Sequence, residues 1–268
     1  MSFSLFSLED VIYQLKLPLE TLDADYIYYY RGCSVHDWPN NLIPGIYRDN
    51  HIKNEDTNFR EMILRSPNDF QGEHTTLEKL VKMQHYTLPT RLLDITSNPL
   101  VALYFASGHY NNKSTNGKIY VFKIKKENIK YYDSDAVALI SNLAKLSIRK
   151  TDFSKNFDHL IHEIRDEKPH YINSLKSENK KDLLKIFPVK VKLNNNRIIR
   201  QSGAFLIFGI QDLNSKERPA IFPSTDIERE IIIDAGSKKA IRNSLNSLSI
   251  NENTLFPELE HQASYLVR

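Results

Sequence analysis

Segments with apolar residues at helical spacing recur along the chain. Ser7–Leu17 has this spacing behind the capping box Ser7-x-x-Asp10, which predicts a first helix that Pro18 ends. The same periodicity is stronger in Thr76–Tyr86. It predicts further helices at Asn54–Leu64, Leu100–Gly108, Asp135–Ile148, Asn156–Asp166 and Ser237–Leu248.

Runs of β-branched and aromatic residues predict the strands, because such side chains suit a pleated, half-buried surface. Lys118–Ile124 alternates cleanly, and Asp23–Arg31 is rich in tyrosine. The other predicted strands are Leu92–Ile95, Pro188–Leu193, Arg197–Gln201, Ala204–Ile210 and Glu230–Asp234. These elements predict one α+β domain over residues 1–268, with a helix-rich first half, a strand-rich second half and a mixed central sheet flanked by helices.

Composition narrows the class of protein. With 268 residues, 41% hydrophobic content and a net charge of +3, the chain is expected to be globular and only mildly basic. The lone Cys33 excludes an intramolecular disulfide and a multi-cysteine zinc site, and we expect it to be a small buried thiol. The first residues lack the pattern of a signal peptide, and no window approaches the roughly 20 apolar residues of a membrane helix. We therefore expect a cytoplasmic protein with no membrane partner.

The segment Lys176–Arg200 carries an excess of positive charge. It holds eight Lys or Arg residues and two acids, Glu178 and Asp182. This composition fits either a solvated helix and strand or a basic face turned toward phosphates.

Polar residues stand between apolar elements in the segment Gln84–Thr96 and indicate a specific site. A buried polar group that is not paired costs on the order of a few kcal/mol. Arg91 and Asp94 can satisfy each other as a bidentate pair. If Arg31 joins them, two arginines beside one carboxylate leave donors for an anionic ligand such as a phosphate or pyrophosphate. We expect Arg31 and Arg91 to converge in one sheltered cleft.

His85 follows a predicted helix and allows two interpretations. It is either a histidine satisfied within the core, or a donor to a ribose hydroxyl or a general acid/base, since the pKa of an unperturbed histidine lies near neutrality. A metal site is not expected, because His36, His74, His85 and His109 lack metal-ligand spacing. The sequence also lacks the motifs of serine hydrolases, phosphate-binding loops and dinucleotide-binding folds.

Several motifs resemble those of the FRG domain family, named for a Phe-Arg-Gly that appears here as Tyr30-Arg31-Gly32. The segment MQHYTLPTRLLDITSNPLVALYFA resembles the central motif of that family. The resemblance extends to Trp38, Pro44–Arg48, Arg200–Phe205, which is similar to a Gln-x-Gly-x-Phe element, and a closing motif at Leu255–Leu259.

The resemblance implies a mixed sheet of ADP-ribosyltransferase-like type and an enzyme that consumes NAD, because the motif order is similar to that of ADP-ribosyltransferases. It assigns NAD binding to Arg31, Gly32, Tyr86, Thr90, Arg91 and Asp94, with Thr96 as a second candidate for the threonine of the middle motif. It assigns catalysis to His85 and Gln201, with Glu228 or Glu230 as alternatives for a glutamate that stabilises positive charge on the ribose.

The family resemblance further implies a bacterial or phage defence or toxin effector that modifies a nucleic acid or a protein. An antitoxin or an activator protein would then be a partner. The alternative from another class is a non-catalytic domain that senses a nucleotide or a phage component through the same arginines. A nuclease is a third hypothesis, but the sequence lacks the clustered carboxylates that would hold its metal.

Overall fold

The computed structural model describes residues 4–5, 7–19, 24–35, 41–108, 115–147, 152, 157–171 and 180–266. Several residues named in the predictions above lie outside these ranges: Asp23, His36, Trp38, His109, Ile148, Asn156, Lys176 and Glu178. Within the described ranges, no helix is long and apolar enough to cross a membrane.

The helices that the structure describes are distributed along the chain. They are α1 (Leu8–Leu19), α2 (Glu55–Arg65), α3 (Thr76–His85), α4 (Pro99–Ala106), α5 (Asp135–Ser141), α6 (Phe157–Arg165), α7 (Asn196–Arg200), α8 (Lys238–Ser247), α9 (Glu252–Leu255) and α10 (Leu259–Leu266).

The strands are also distributed along the whole described chain. They are β1 (Ser4–Leu5), β2 (Tyr26–Cys33), β3 (Leu92–Thr96), β4 (Gly117–Lys125), β5 (Lys130–Tyr131), β6 (Ile186–Lys190), β7 (Gly203–Phe208), β8 (Ile210–Asp212), β9 (Ser215–Pro219) and β10 (Ile227–Ile233). Five of these strands precede residue 132 and five follow it, so the predicted division into a helix-rich and a strand-rich half is wrong.

Eight of the strands form one mixed sheet in the order β1-β10-β4-β2-β3-β7-β6-β5. The β1–β10 and β5–β6 pairs are parallel, and the other neighbours in this sheet are antiparallel. Strands β8 and β9 form a separate antiparallel pair. The prediction of an α+β fold with a mixed central sheet flanked by helices is confirmed.

Two groups of helices cover one face of the sheet. One group, from α1, α4 and α8, packs on the side chains of β2, β4 and β10, as Tyr30 and Val121 illustrate. The other group, from α2, α3, α5 and α6, packs on β3, β6 and β7 through residues such as Leu92 and Ile207. Burial of this apolar area stabilises the fold at roughly 25 cal/mol per Å². The border between the two groups runs over β2 and β3.

Strands β2 and β3 are paired at one position only, Tyr30 with Thr96. Beyond it, β2 continues to Cys33 along β4, while β3 stays in register with β7. The two strands therefore separate at the end of β2. Because backbone groups in a sheet must find partners, the gap has to be closed by side chains or by a ligand.

Helix α1 continues through Pro18, although the sequence predicted that Pro18 ends it. Proline has no N–H for the carbonyl four residues earlier, which is that of Gln14. Arg229 supplies the missing donor, since its Nη1 donates to the Gln14 carbonyl oxygen at 2.9 Å. A contact from β10, far away in sequence, thus removes part of the cost of a proline inside the last turn.

The prediction of a strand from Arg197 to Gln201 is wrong, because residues 196–200 form the short helix α7. Its N-cap is Asn195, whose side-chain oxygen accepts from the backbone N–H of Arg197 at 2.8 Å. Only Ile198 of this helix is buried. The two neighbouring isoleucines favour a strand by local propensity, but the cap and the packing of Ile198 decide otherwise.

Candidate functional site

A cleft of about 270 Å³ opens where β2 and β3 separate, between the two groups of helices. Its walls come from β2, β3 and β7, from α3 and α4, and from α7 with its N-cap. The polar side chains among the residues that line it are Arg31, Gln84, His85, Asp94, Thr96, Asn195, Arg197 and Gln201. The cleft thus collects residues from five separate parts of the chain.

Arg31 lies in the gap between the separated strands. Its Nη1 donates to the main-chain carbonyl of Asp94 at 2.7 Å, and its Nε donates to the carbonyl of Asn41 at 3.0 Å. Arg31 therefore replaces the strand-to-strand bonds that β2 and β3 do not make with each other. It also lines the cleft, so Arg31 combines this structural contact with a place in the cleft wall.

Arg91 lies elsewhere, and the expectation that it shares a cleft with Arg31 is wrong. Its side chain is 0% exposed. Its Nε and Nη2 donate to the two carboxylate oxygens of Glu55, at 2.9 and 2.5 Å, and its Nη1 donates to the carbonyl of Phe208 at 3.2 Å. The predicted partner Asp94 is not involved. Arg91 therefore holds α2 to the sheet and is removed from the set of cofactor-binding residues.

The buried Arg91–Glu55 pair has a second cation, Lys216 of β9, whose Nζ lies 2.8 Å from Glu55 Oε2. Burial alone would raise the pKa of Glu55, but Arg91 and Lys216 outweigh it and hold this pKa below its ordinary value of 4.5. Burial lowers the pKa of Lys216, and Glu55 only partly offsets that effect. The hydroxyl of the neighbouring Tyr47 is withdrawn from water, which raises the pKa of Tyr47 to about 12. The cluster joins α2, β3 and β9 in the interior.

Asp94 is exposed on β3 and is the one carboxylate among the described residues that line the cleft. Its Oδ2 accepts from Gln84 Nε2 at 3.0 Å. Gln84 is oriented by Thr90, whose hydroxyl donates to Gln84 Oε1 at 2.6 Å. Thr90 itself is buried and does not line the cleft, so it positions a residue of the site instead of binding a ligand.

His85, at the end of α3, has contacts at both ring nitrogens. Its Nδ1 lies 2.8 Å from Asn195 Nδ2, and its Nε2 lies 2.9 Å from Glu258 Oε1. Because an amide nitrogen donates, Nδ1 is the acceptor and the proton lies on Nε2, facing the carboxylate. Burial lowers the pKa of His85, although Glu258 opposes this shift. His85 therefore fixes the wall between α3, α7 and the C-terminal segment, and its ring edge lines the cleft.

Glu258 and Arg197 are site residues that the sequence analysis did not single out. Both carboxylate oxygens of Glu258 are buried and receive no hydrogen bond among the described residues, although Oε1 lies 2.9 Å from His85 Nε2. Arg197 lines the cleft, lies over the ring of Phe256 and has its Nη1 3.9 Å from Glu258 Oε1. The closing motif Leu255–Leu259 contains Glu258 and was the available signal.

Of the two predicted catalytic residues Gln201 and Glu230, only Gln201 lines the cleft. Gln201 lines the cleft and donates from Nε2 to the carbonyl of Leu255 at 3.2 Å, while its own carbonyl accepts from the Thr96 hydroxyl at 2.6 Å. Glu230 lies on β10, separated from β2 by β4, and pairs with Lys118 at 2.8 Å. It does not line the cleft, so the expectation that it belongs to the site is wrong.

Of the predicted cofactor-binding residues Gly32 and Tyr86, only Gly32 lines the cleft. Gly32 lies in the cleft wall, but its lack of a side chain is required by packing, since a Cβ there would lie 1.8 Å from the carbonyl oxygen of Ala102 in α4. Tyr86 does not line this cleft; it lines a neighbouring cavity behind His85. Across the described ranges, no group of three or more His, Cys, Asp or Glu side chains is arranged to hold a metal ion.

Comparison with known proteins gives one match. The model of the FRG domain family matches residues 26–115, a range that includes β2, α2, α3, β3 and α4. No curated protein and no solved structure matches the chain. The matched range contains Arg31, Gln84, His85 and Asp94, whereas Arg197, Gln201 and Glu258 lie beyond it.

Proposed function

We propose that this chain, whose residues 26–115 match the model of the FRG domain family, is an NAD-consuming enzyme of ADP-ribosyltransferase-like type. The reaction would break the bond between nicotinamide and C1′ of its ribose, with the bonding electrons leaving on nicotinamide. An acceptor hydroxyl or amine, or water, then attacks C1′ and loses a proton. The observation that carries the proposal is the cleft between β2 and β3, which is lined by Arg31, Arg197 and Asp94.

The two arginines support an anionic ligand. Arg31 and Arg197 both line the cleft, one from β2 and the other from α7. A third arginine, Arg48, does not line the cleft but lies near Arg31: burial, and then the guanidinium of Arg31, lowers the pKa of Arg48. Like charges held near one another favour a bound anion, and a guanidinium matches phosphate oxygens in geometry. The pyrophosphate of NAD supplies this partner.

Asp94 supports the chemical step. As nicotinamide leaves, positive charge develops on the ribose, and a fixed carboxylate nearby stabilises it. The sequence suggested Gln201 or a glutamate for this role. Gln201 is neutral, and Glu230 is outside the cleft. Asp94 has the required charge, lines the cleft and is held by Gln84.

A second candidate function is a domain that binds a nucleotide without cleaving it. It is favoured by the contacts of His85, since both of its ring nitrogens are engaged and neither is available as a general base. In that case the same cleft would bind NAD or another nucleotide, and nicotinamide would not be released. The same assay therefore decides between the two functions.

The test is release of nicotinamide from labelled NAD by the purified protein, with and without cell extract as a source of acceptor. We expect release by the parent and a loss of about a hundredfold or more in Asp94→Asn, because one electrostatic contact to a developing charge accounts for that much rate. Glu230→Gln should retain the parental rate. Absence of release from the parent, or equal loss in both variants, contradicts the proposal.

A role as a defence or toxin effector belongs to the same proposal and is supported by the family resemblance. Expression of the parent should then arrest growth of the producing cell. Asp94→Asn, expressed to the same level, should not. Growth arrest by both proteins would separate toxicity from NAD cleavage.

A further inference from the structure

A second cavity, of about 390 Å³, adjoins the cleft. The two share Val81, His85 and Asn195 as common wall residues. The other side of this cavity is formed by the end of α3, by residues after β5 and β6, and by the segment with Pro257 and Glu258. The wall between the two spaces is therefore the Asn195–His85–Glu258 contact described above.

Two tyrosines give this cavity an aromatic lining. Tyr86 lines it from the end of α3 and is 56% exposed. Tyr132 lines it after β5 and carries Lys192 Nζ at 4.9 Å from its ring centroid. Exposed aromatic rings beside cations are the common means by which proteins hold nucleobases.

The polar groups of the cavity fit the edges of a flat heterocycle. Asn194 and Asn196 line it and are exposed, and each amide offers both donors and an acceptor. The lysines Lys82 and Lys192 are held by Glu73 and Glu78, so the cavity is not a simple cationic surface. A guest with a π-face and hydrogen-bonding edges suits this set better than a bare phosphate.

We propose that this second cavity is a nucleobase subsite in which Tyr86 provides the stacking surface. One version of this inference rests on the proposed function: the base is then the adenine of NAD, and the dinucleotide extends from the cleft past His85 into the second cavity. The cleft of about 270 Å³ lies just below the usual 300–1,000 Å³ of pockets for drug-sized ligands, so a whole dinucleotide needs space beyond it. The other source of the same chemistry is a base of a nucleic-acid acceptor.

The experiment measures affinity for four probes by calorimetry: NAD, nicotinamide mononucleotide, AMP and a single-stranded oligonucleotide. The variant is Tyr86→Ala, and Tyr86→Phe preserves the ring. The matched control is Tyr131→Ala, which removes a tyrosine of similar exposure, 60%, that lines neither cavity. Because Tyr86 is largely exposed, its truncation should leave the melting temperature close to that of the parent.

We expect Tyr86→Ala to weaken binding by about tenfold, the loss typical of one stacked base, while Tyr86→Phe and Tyr131→Ala bind as the parent does. If the base is the adenine of NAD, the loss affects NAD and AMP but not nicotinamide mononucleotide. If it is a base of the acceptor, the loss affects the oligonucleotide. Equal affinities of Tyr86→Ala and Tyr131→Ala for every probe, or no binding of AMP and oligonucleotide by the parent, overturn the subsite.

The nicotinamide-release assay on the same samples separates this inference from the proposed function. If the parent binds AMP through Tyr86 but releases no nicotinamide, the subsite is supported and the proposed activity is contradicted. If the parent releases nicotinamide and Tyr86→Ala binds every probe as the parent does, the proposed activity is supported and the subsite is contradicted.

Discussion

At the scale of single residues, two arginines with similar sequence contexts have opposite roles. Arg31 and Arg91 each stand beside an apolar strand, and local sequence does not distinguish a guanidinium that lines a cleft from one that is buried. The difference is Glu55, 36 residues before Arg91, which pairs with it in the interior. Sequence patterns predicted Arg31, His85, Asp94 and Gln201, all of which line the cleft, but not the remote partners of His85, which are Asn195 and Glu258.

Replacement of Arg91 should therefore affect stability. In Arg91→Ala, Glu55 remains buried beside Lys216 with one cation missing, and breaking such a pair costs about 3–5 kcal/mol in the free energy of unfolding. Arg31→Ala is the comparison, since Arg31 is only half-buried and donates to two carbonyls. We expect urea unfolding to show the large loss for Arg91→Ala and a smaller one for Arg31→Ala. An Arg91→Ala protein as stable as the parent would contradict this account.

The same cluster predicts how stability depends on pH. The pKa of Glu55 is lower in the folded state than its ordinary 4.5, so the folded state releases this proton more readily than the unfolded state. The stabilisation is complete above about pH 4.5 and is lost as pH falls through the folded-state pKa. Urea unfolding between pH 7 and pH 3 should show a steeper loss for the parent than for Glu55→Gln. If the free energy of unfolding falls equally with pH in the two proteins, Glu55 is not the cause of the pH dependence.

At the scale of elements, the sequence predicted those whose cause is local. Helix α3 begins at the capping box of Thr75 with Glu78, and β4 follows its alternating pattern. Elements decided by distant contacts were mispredicted: α7 depends on the Asn195 cap and the burial of Ile198, and the last turn of α1 depends on Arg229. The separation of β2 from β3 is also of this kind, because strand pairing is not encoded in either strand alone.

The contact between β2 and α4 can be tested at Gly32. A Cβ at this position would lie 1.8 Å from the Ala102 carbonyl oxygen and 2.7 Å from the Ala106 nitrogen, so α4 would have to move. Gly32→Ala should lower the free energy of unfolding by about 3 kcal/mol. Gly72→Ala is the matched control, because a Cβ there has no neighbour within 4 Å. Equal melting temperatures of the two variants would show that α4 does not restrict Gly32.

At the scale of the whole molecule, the cleft exists because one sheet takes strands from both halves of the chain. Strand β3 lies between β2 and β7, which are separated by more than half of the sequence, and α7 reaches the cleft only because it precedes β7. The hydrophobic pattern of the sequence predicts the α+β class, and the segment around His85 predicts a site there. Neither predicts that Arg197 and Glu258 join that site, because their proximity depends on the order of the strands.

A crystal structure of the protein soaked with NAD, or with an analogue that resists cleavage, would show directly whether the cleft binds the dinucleotide. We expect pyrophosphate oxygens within hydrogen-bond distance of Arg31 and Arg197, with C1′ of the nicotinamide ribose beside the Asp94 carboxylate. NAD bound at another place, or a cleft that stays without ligand at saturating NAD, would contradict the central claim.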